Sequence, residues 1–137
     1  SIGAADITQI EFITTSFDKS DGGTIQARVR FNEPVVVDTS GGTPHLAVTN
    51  GNQGSGSGRG PHNLTYASGT GTNELVFSLT IGAGNAATNA DDVLVIGANA
   101  LALNSGTIKD VATAGTNATI TNSSAIGTAA GSITVTA

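Results

Sequence analysis

Residues 24–37 read TIQARVRFNEPVVV, and their alternation decides how the rest of the chain must fold. Ile25, Ala27, Val29 and Phe31 fall on one side of an extended chain, while Gln26, Arg28 and Arg30 fall on the other. That is a strand with one dry face and one wet face. Burying Ile25, Val29 and Phe31 is worth about 1.5–3 kcal/mol each, and a strand with a single apolar face realises that gain only against a second layer. Asn32-Glu33 interrupts the pattern and Pro34 removes a ladder donor, so the chain is expected to turn or change sheet before Val35, Val36 and Val37.

Outward from this stretch, residues 74–81, ELVFSLTI, repeat the alternation with Leu75, Phe77, Leu79 and Ile81, and are expected to lie near the first strand in the core. Residues 7–13 form a further strand, with Ile10 and Phe12 opposed to Gln9 and Glu11. Between it and residue 24, DKSDGG (18–23) is a turn in which glycine supplies positive φ and Asp and Ser cap the backbone. Residues 38–43 turn again through Gly41-Gly42. Leu46 and Val48 mark a short strand, a long polar loop NGNQGSGSGRGP follows at 50–61, and Leu64 and Tyr66 mark the next strand. SGTGTN (68–73) is a turn. Around Asp91-Asp92 the sequence is ambiguous: Asn89 could cap a helix, yet Gly97 and the β-branched run 93–96 favour a strand. Leu101, Leu103 and Ile108 give short strand pieces, and the tail supplies Ile120, Ile126, Ile133 and Val135.

Composition agrees with this class. The 137 residues suit one domain over 1–137 with a true core. Nineteen glycines and a large share of Thr and Val favour short strands and turns over helices. Only 11% of residues are charged and 4% aromatic, so Thr, Ser, Asn and Gly must carry the surface. The net charge of −5, with single, scattered Lys and Arg, argues against nucleic acid as a partner. Cysteine is absent, which removes disulfides and thiolate chemistry. There is no apolar run of about 20 residues and no basic-then-apolar opening, so membrane insertion is not expected; the chain is expected to be soluble and either mature or never exported by a cleaved signal.

The chemistry-bearing residues form no recognisable constellation. Asp18, Asp21 and Gly22 begin like a calcium loop, but Val29 stands where the bidentate acid belongs, so turn chemistry is expected. His45 and His62 follow Pro44 and Pro61 with no third ligand at suitable spacing and are expected to be surface or turn histidines. There is no GxSxG, HExxH or Walker loop, and the glycines of 54–60 lead into Pro61 and a strand, not a helix. With one Tyr and no Trp, a sugar platform is disfavoured, though Tyr66 and Arg59 would be its residues. Asn63-Leu64-Thr65 and Asn117-Ala118-Thr119 fit glycosylation acceptors by chance in such a composition. No catalytic, cofactor-binding or metal residue is assigned, and no cofactor is expected.

Four phrases in order, VRFNEPVVV, GGTPHLAVTNG, LTYASGTGTNELVFSLTI and NADDVLVIGANALALNSGTIKD, resemble the bacterial immunoglobulin-like modules repeated in very large secreted adhesins. The resemblance covers residues 7–112 and implies an immunoglobulin-like β-sandwich of about seven to nine antiparallel strands with a non-catalytic role in display, spacing or adhesion. It also raises two options: calcium at Glu33 and Asp91-Asp92, and an isopeptide bond from Lys109 to a nearby Asn. Solvated loop acids and an exposed Lys109 beside Asp110 are the plainer alternatives.

This Thr/Asn/Gly/Ala-rich style is similar also to tailed-bacteriophage structural proteins whose immunoglobulin-like domains decorate capsids, and the opening Ser1 is what removal of an initiator Met leaves. The resulting expectation is a capsid decoration or cement protein at the virion surface, with the major capsid protein or copies of itself as partners. The loops 50–61 and 68–73 or the termini would be its contacts. The alternative is an extracellular, cell-surface adhesin or surface-layer module; a carbohydrate-active domain ranks third.

Overall fold

A computed structural model describes residues 4–52, 61–84, 88, 90 and 92–137. Among them run β1 (Ile7–Phe12), β2 (Phe17–Asp18), β3 (Gly23–Phe31), β4 (Val35–Asp38), β5 (His45–Asn52), β6 (His62–Ser68) and β7 (Glu74–Ile81). They are followed by β8 (Asp92–Val95), β9 (Leu101–Ala102), β10 (Thr107–Asp110), the helix α1 (Ser124–Ala129) and β11 (Ser132–Thr136). The fold is all-β. One large sheet runs β1-β3-β7-β6-β5-β8-β11-β2, with β9 beside β5, and curls on itself so that its inner faces enclose the core; β4 and β10 form a second, small sheet.

The alternation in β3 is realised residue by residue. Ile25, Ala27, Val29 and Phe31 are fully buried, and β3 pairs with β7 so that Ile25 faces Leu79, Ala27 faces Phe77 and Val29 faces Leu75. On its other edge β3 pairs with β1, with Val29 opposite Ile10. The break at Asn32-Glu33-Pro34 does send the chain into another sheet, since β4 leaves β3 and pairs with β10. The outer edge of β4 is held by the 68–73 turn: Val35 N–H donates to Thr72 O, Gly71 N–H to Val35 O, and Val37 N–H to Thr70 Oγ1. Gly69 is required there. It sits at φ 116°, and a Cβ would strike the carbonyl oxygen of Glu74.

β5 makes the curl. Its residues 45–48 pair with β6, and its residues 49–52 pair with β8, so one strand passes from one layer to the other. It is longer than the short strand marked by Leu46 and Val48, and it takes Asn50, Gly51 and Asn52 out of the expected loop. β11 then pairs antiparallel with β8 and parallel with β2, one departure from an otherwise antiparallel set.

The tail contains a helix, which its isolated apolar residues do not announce. Ser123 caps it, its Oγ accepting the Ile126 N–H at 3.2 Å, and α1 lies against β1. Just before it, buried Asn122 accepts the Ala100 N–H and donates to Gly97 O and Ser123 O, while Asn99 and Asn122 exchange two further bonds. Gly127 is the only buried residue of the helix, and a Cβ there would penetrate the carbonyl oxygens of Ile96 and Gly97.

Two substitutions test this packing. Phe77→Ala removes a fully buried ring at the centre of the β3–β7 pairing and is expected to cost about 3–5 kcal/mol in urea unfolding. Gly127→Ala would gain about 1 kcal/mol in an exposed helix; here it is expected to lose about 1–3 kcal/mol, because α1 must lift from the 96–97 backbone. An unchanged or raised midpoint for Gly127→Ala would contradict that contact.

Candidate functional site

The densest group of buried polar side chains lies where β6, β5 and β8 run side by side. His62 at the start of β6 is opposite Val48, Asn50 on β5 is opposite Leu94, and Asp92 at the start of β8 is opposite Asn52. The strand period that buries Leu64 and Leu94 also turns His62 and Asp92 inward, leaving His62 6% and Asp92 0% exposed. Asn50 Nδ2 meets His62 Nε2 at 3.1 Å. An amide nitrogen only donates, so Nε2 accepts and the imidazole is neutral, with its proton on Nδ1. Burial holds the His62 pKa below its ordinary 6.5, and the nearby Asp92 charge opposes that shift. Close by in the chain, Thr88 is buried and its carbonyl accepts Lys19 Nζ at 2.6 Å.

His62 is therefore not a surface or turn histidine. The Pro-His-Asn sequence gives no sign of this, because the decisive fact is which face of β6 meets the core. Its Nε2 is committed to an amide, an arrangement that ties β5 to β6 and does not present a base to solvent. His45 is half-buried on β5, opposite Thr65 and Ala102.

The remaining candidates are dispersed. Asp18 takes the turn role: its Oδ1 accepts the Ser20 hydroxyl at 2.6 Å and the Ser20 N–H at 2.8 Å, and these bonds lower its pKa. Asp38 repeats the device with the Ser40 N–H, and its pKa is lowered for that reason first. Lys109 is half-buried opposite Val36, with its charge acting on Asp38, while Asn117, paired with it in an isolated bridge, is exposed. That differs from an exposed Lys109 beside Asp110 and also from the buried Lys–Asn–acid triad an isopeptide bond needs. Glu33 lies in the β3–β4 turn and Asp92 in β8, on separate elements. Tyr66 sets its ring edge-on to Phe77 and its hydroxyl accepts the Thr70 N–H, so its hydroxyl serves the 68–73 turn. Asp91, Asn89, Arg59 and the rest of 53–60 lie outside the described residues. Among the described residues no three His, Asp or Glu side chains gather as a metal site, and no helix is long and apolar enough to cross a membrane.

The two outer surfaces differ in charge. On β1, β3 and β7, Arg28 pairs with Glu11 at 3.0 Å and Glu74 at 3.8 Å, and Arg30 also pairs with Glu74. On the opposite layer, Thr49 of β5, Val93 and Val95 of β8, and Ser132 and Thr134 of β11 point outward, none of them ionisable. Val95 is 37% exposed, and beside it an open concavity of about 460 Å³ is lined by Val95, Ile96, Gly97, Thr128, Gly131 and Ser132.

Comparison with known proteins gives no match: no family model, no curated protein and no solved structure is significantly similar.

The state of His62 sets a pH dependence. Because its folded pKa lies below 6.5, unfolding takes up a proton in between; the stability this represents is complete above pH 6.5 and is lost as pH falls through the folded value. Unfolding free energies measured from pH 7.5 to 5 are expected to fall with acid in the native protein and to fall less in His62→Gln, which keeps an acceptor for Asn50. Equal slopes would refute the assignment. Asp18 and Asp38 act in a separate window, stabilising above 3.8 and failing as pH drops through their lowered values.

Proposed function

We propose that this chain is a non-enzymatic building block that docks on an assembled capsid lattice as a decoration protein at the virion surface. The observation that carries this reading is the uncharged outer patch formed by Thr49, Val93, Val95, Ser132 and Thr134. Interface cores are depleted of charge because desolvating an ion without a matched partner is costly, whereas Thr, Ser and Val on a sheet face lose little on leaving water. A chain of net charge −5 that sets Thr49, Val93, Val95, Ser132 and Thr134 side by side, with Asp18 only at the β2 edge beyond them, has a surface suited to that use. The polar residues support the same view: buried His62 and Asn122, half-buried Asn50 and Asp18, and exposed Asp38 are engaged in holding strands, turns and the tail together.

The mechanism is mass action. A protein that binds the assembled lattice and not the free subunits stabilises assembly by its binding free energy. The resemblance to immunoglobulin-like decoration modules points the same way and names the major capsid protein as the partner.

The test is co-sedimentation of the purified chain with capsid particles from its native source. Saturable binding at fixed stoichiometry is expected, and Val95→Glu, which places a charge at the centre of the face, is expected to weaken it roughly 10-fold or more without changing the circular dichroism spectrum. Binding unaltered by Val95→Glu would move the contact elsewhere; no binding to particles would end the proposal.

A further inference from the structure

We propose that Glu33 and Asp110 together hold a divalent cation of the calcium class, at the point where the β3–β4 turn meets the end of β10. Asp110 is directly across from Val35, and the ladder continues one step further, Val111 N–H donating to Pro34 O at 3.1 Å. Glu33 precedes Pro34 and Asp110 precedes Val111, so this hydrogen bond sets the backbones of the two acids side by side, within reach of a long side chain. Val35 and Asp110 are buried while Pro34, Val36 and Val111 point out, and Glu33 is half-buried in the turn before them.

Asp110 is only 2% exposed. Its Oδ1 accepts the Ala112 N–H at 3.1 Å, but its Oδ2 is withdrawn from solvent and meets no donor; Glu33 Oε1 is likewise buried and without a donor. A carboxylate oxygen removed from water must be matched by a donor, a proton or a cation. Two such oxygens on neighbouring residues call for a single positive centre between them, and a dication neutralises both. The donors are hard oxygens, the chain has no cysteine and His62 is engaged with Asn50 elsewhere, so calcium fits better than zinc or copper. With two carboxylates, the other ligands would be backbone carbonyls and water, which places the affinity in the weak range, about 10⁻⁴–10⁻³ M.

The experiment uses the whole chain. In chelator-treated protein, 10 mM Ca²⁺ is expected to raise the thermal midpoint by roughly 4–12 °C, saturably. Glu33→Gln and Asp110→Asn should each abolish most of that rise. Because Asp110→Asn could fail to fold, a calcium titration of the native protein is followed in parallel by amide NMR, where shifts should centre on Glu33, Val111 and Ala112. No rise and no shifts at 10 mM would overturn the proposal, leaving a proton shared between the two carboxyls as the explanation. A rise that survives both substitutions, or shifts centred on Asp18 and Asp38, would overturn it in favour of adventitious surface binding.

Discussion

The architecture depends on β5 changing its main partner along its length. A strand that gives its first four residues to β6 and its last four to β8 turns what would be one flat sheet into a curled one, and only a curled sheet can enclose the apolar faces of β3 and β7. The same crossing brings His62 and Asp92, which are on strands far apart in sequence, to either side of Asn50. The buried polar row is therefore a consequence of the curl. It also helps maintain it, since a neutral imidazole accepting from Asn50 keeps β5 and β6 in register at the point where β5 changes neighbour.

Charge follows the layers. Arg28 and Arg30 on β3 are flanked by Glu11 of β1 and Glu74 of β7, so the ions of that face are largely compensated within it. Half-exposed pairs of this kind add little stability, commonly about 0–1 kcal/mol. Their effect is to make that face costly to desolvate and so to keep it in water. The uncharged Thr, Ser and Val of β5, β8 and β11 have no such cost.

The strands were legible in the sequence wherever one face is core and the other water. Ile25 to Phe31 and Leu75 to Ile81 follow period two, and the break at Asn32-Glu33-Pro34 correctly marks a change of sheet. The turns at 18–23 and 38–43 were legible too, the first with its Asp cap, because their bonds are local; the Asp38–Ser40 bond of the second was not singled out. What was not legible depends on distant partners. Nothing near His62 announces that Val48 and Leu64 will carry it inward, and nothing in TNSSAIGTAA shows that Asn122 will bond to Ala100 and Gly97 and so fix where α1 begins. The length of β5 escaped for a related reason: Asn50-Gly51-Asn52 has the composition of a turn, and only the pairing with β8 makes it strand. Pairing Glu33 with Asp110 required the β4–β10 register, which no single-sequence period contains.

Two ends of the small molecule thus bury ionisable groups in different ways. At the β6–β5–β8 crossing, His62 stays neutral and an amide donates to it. At the exit of β10, Asp110 has spent one carboxylate oxygen on the Ala112 N–H and has no donor for the other, and Glu33 adds a second oxygen in the same condition. An arrangement that asked only for stability could have used Asn and Gln, which bring their own donors. Two acids in this position make the turn between the large and small sheets sensitive to whatever positive charge is supplied.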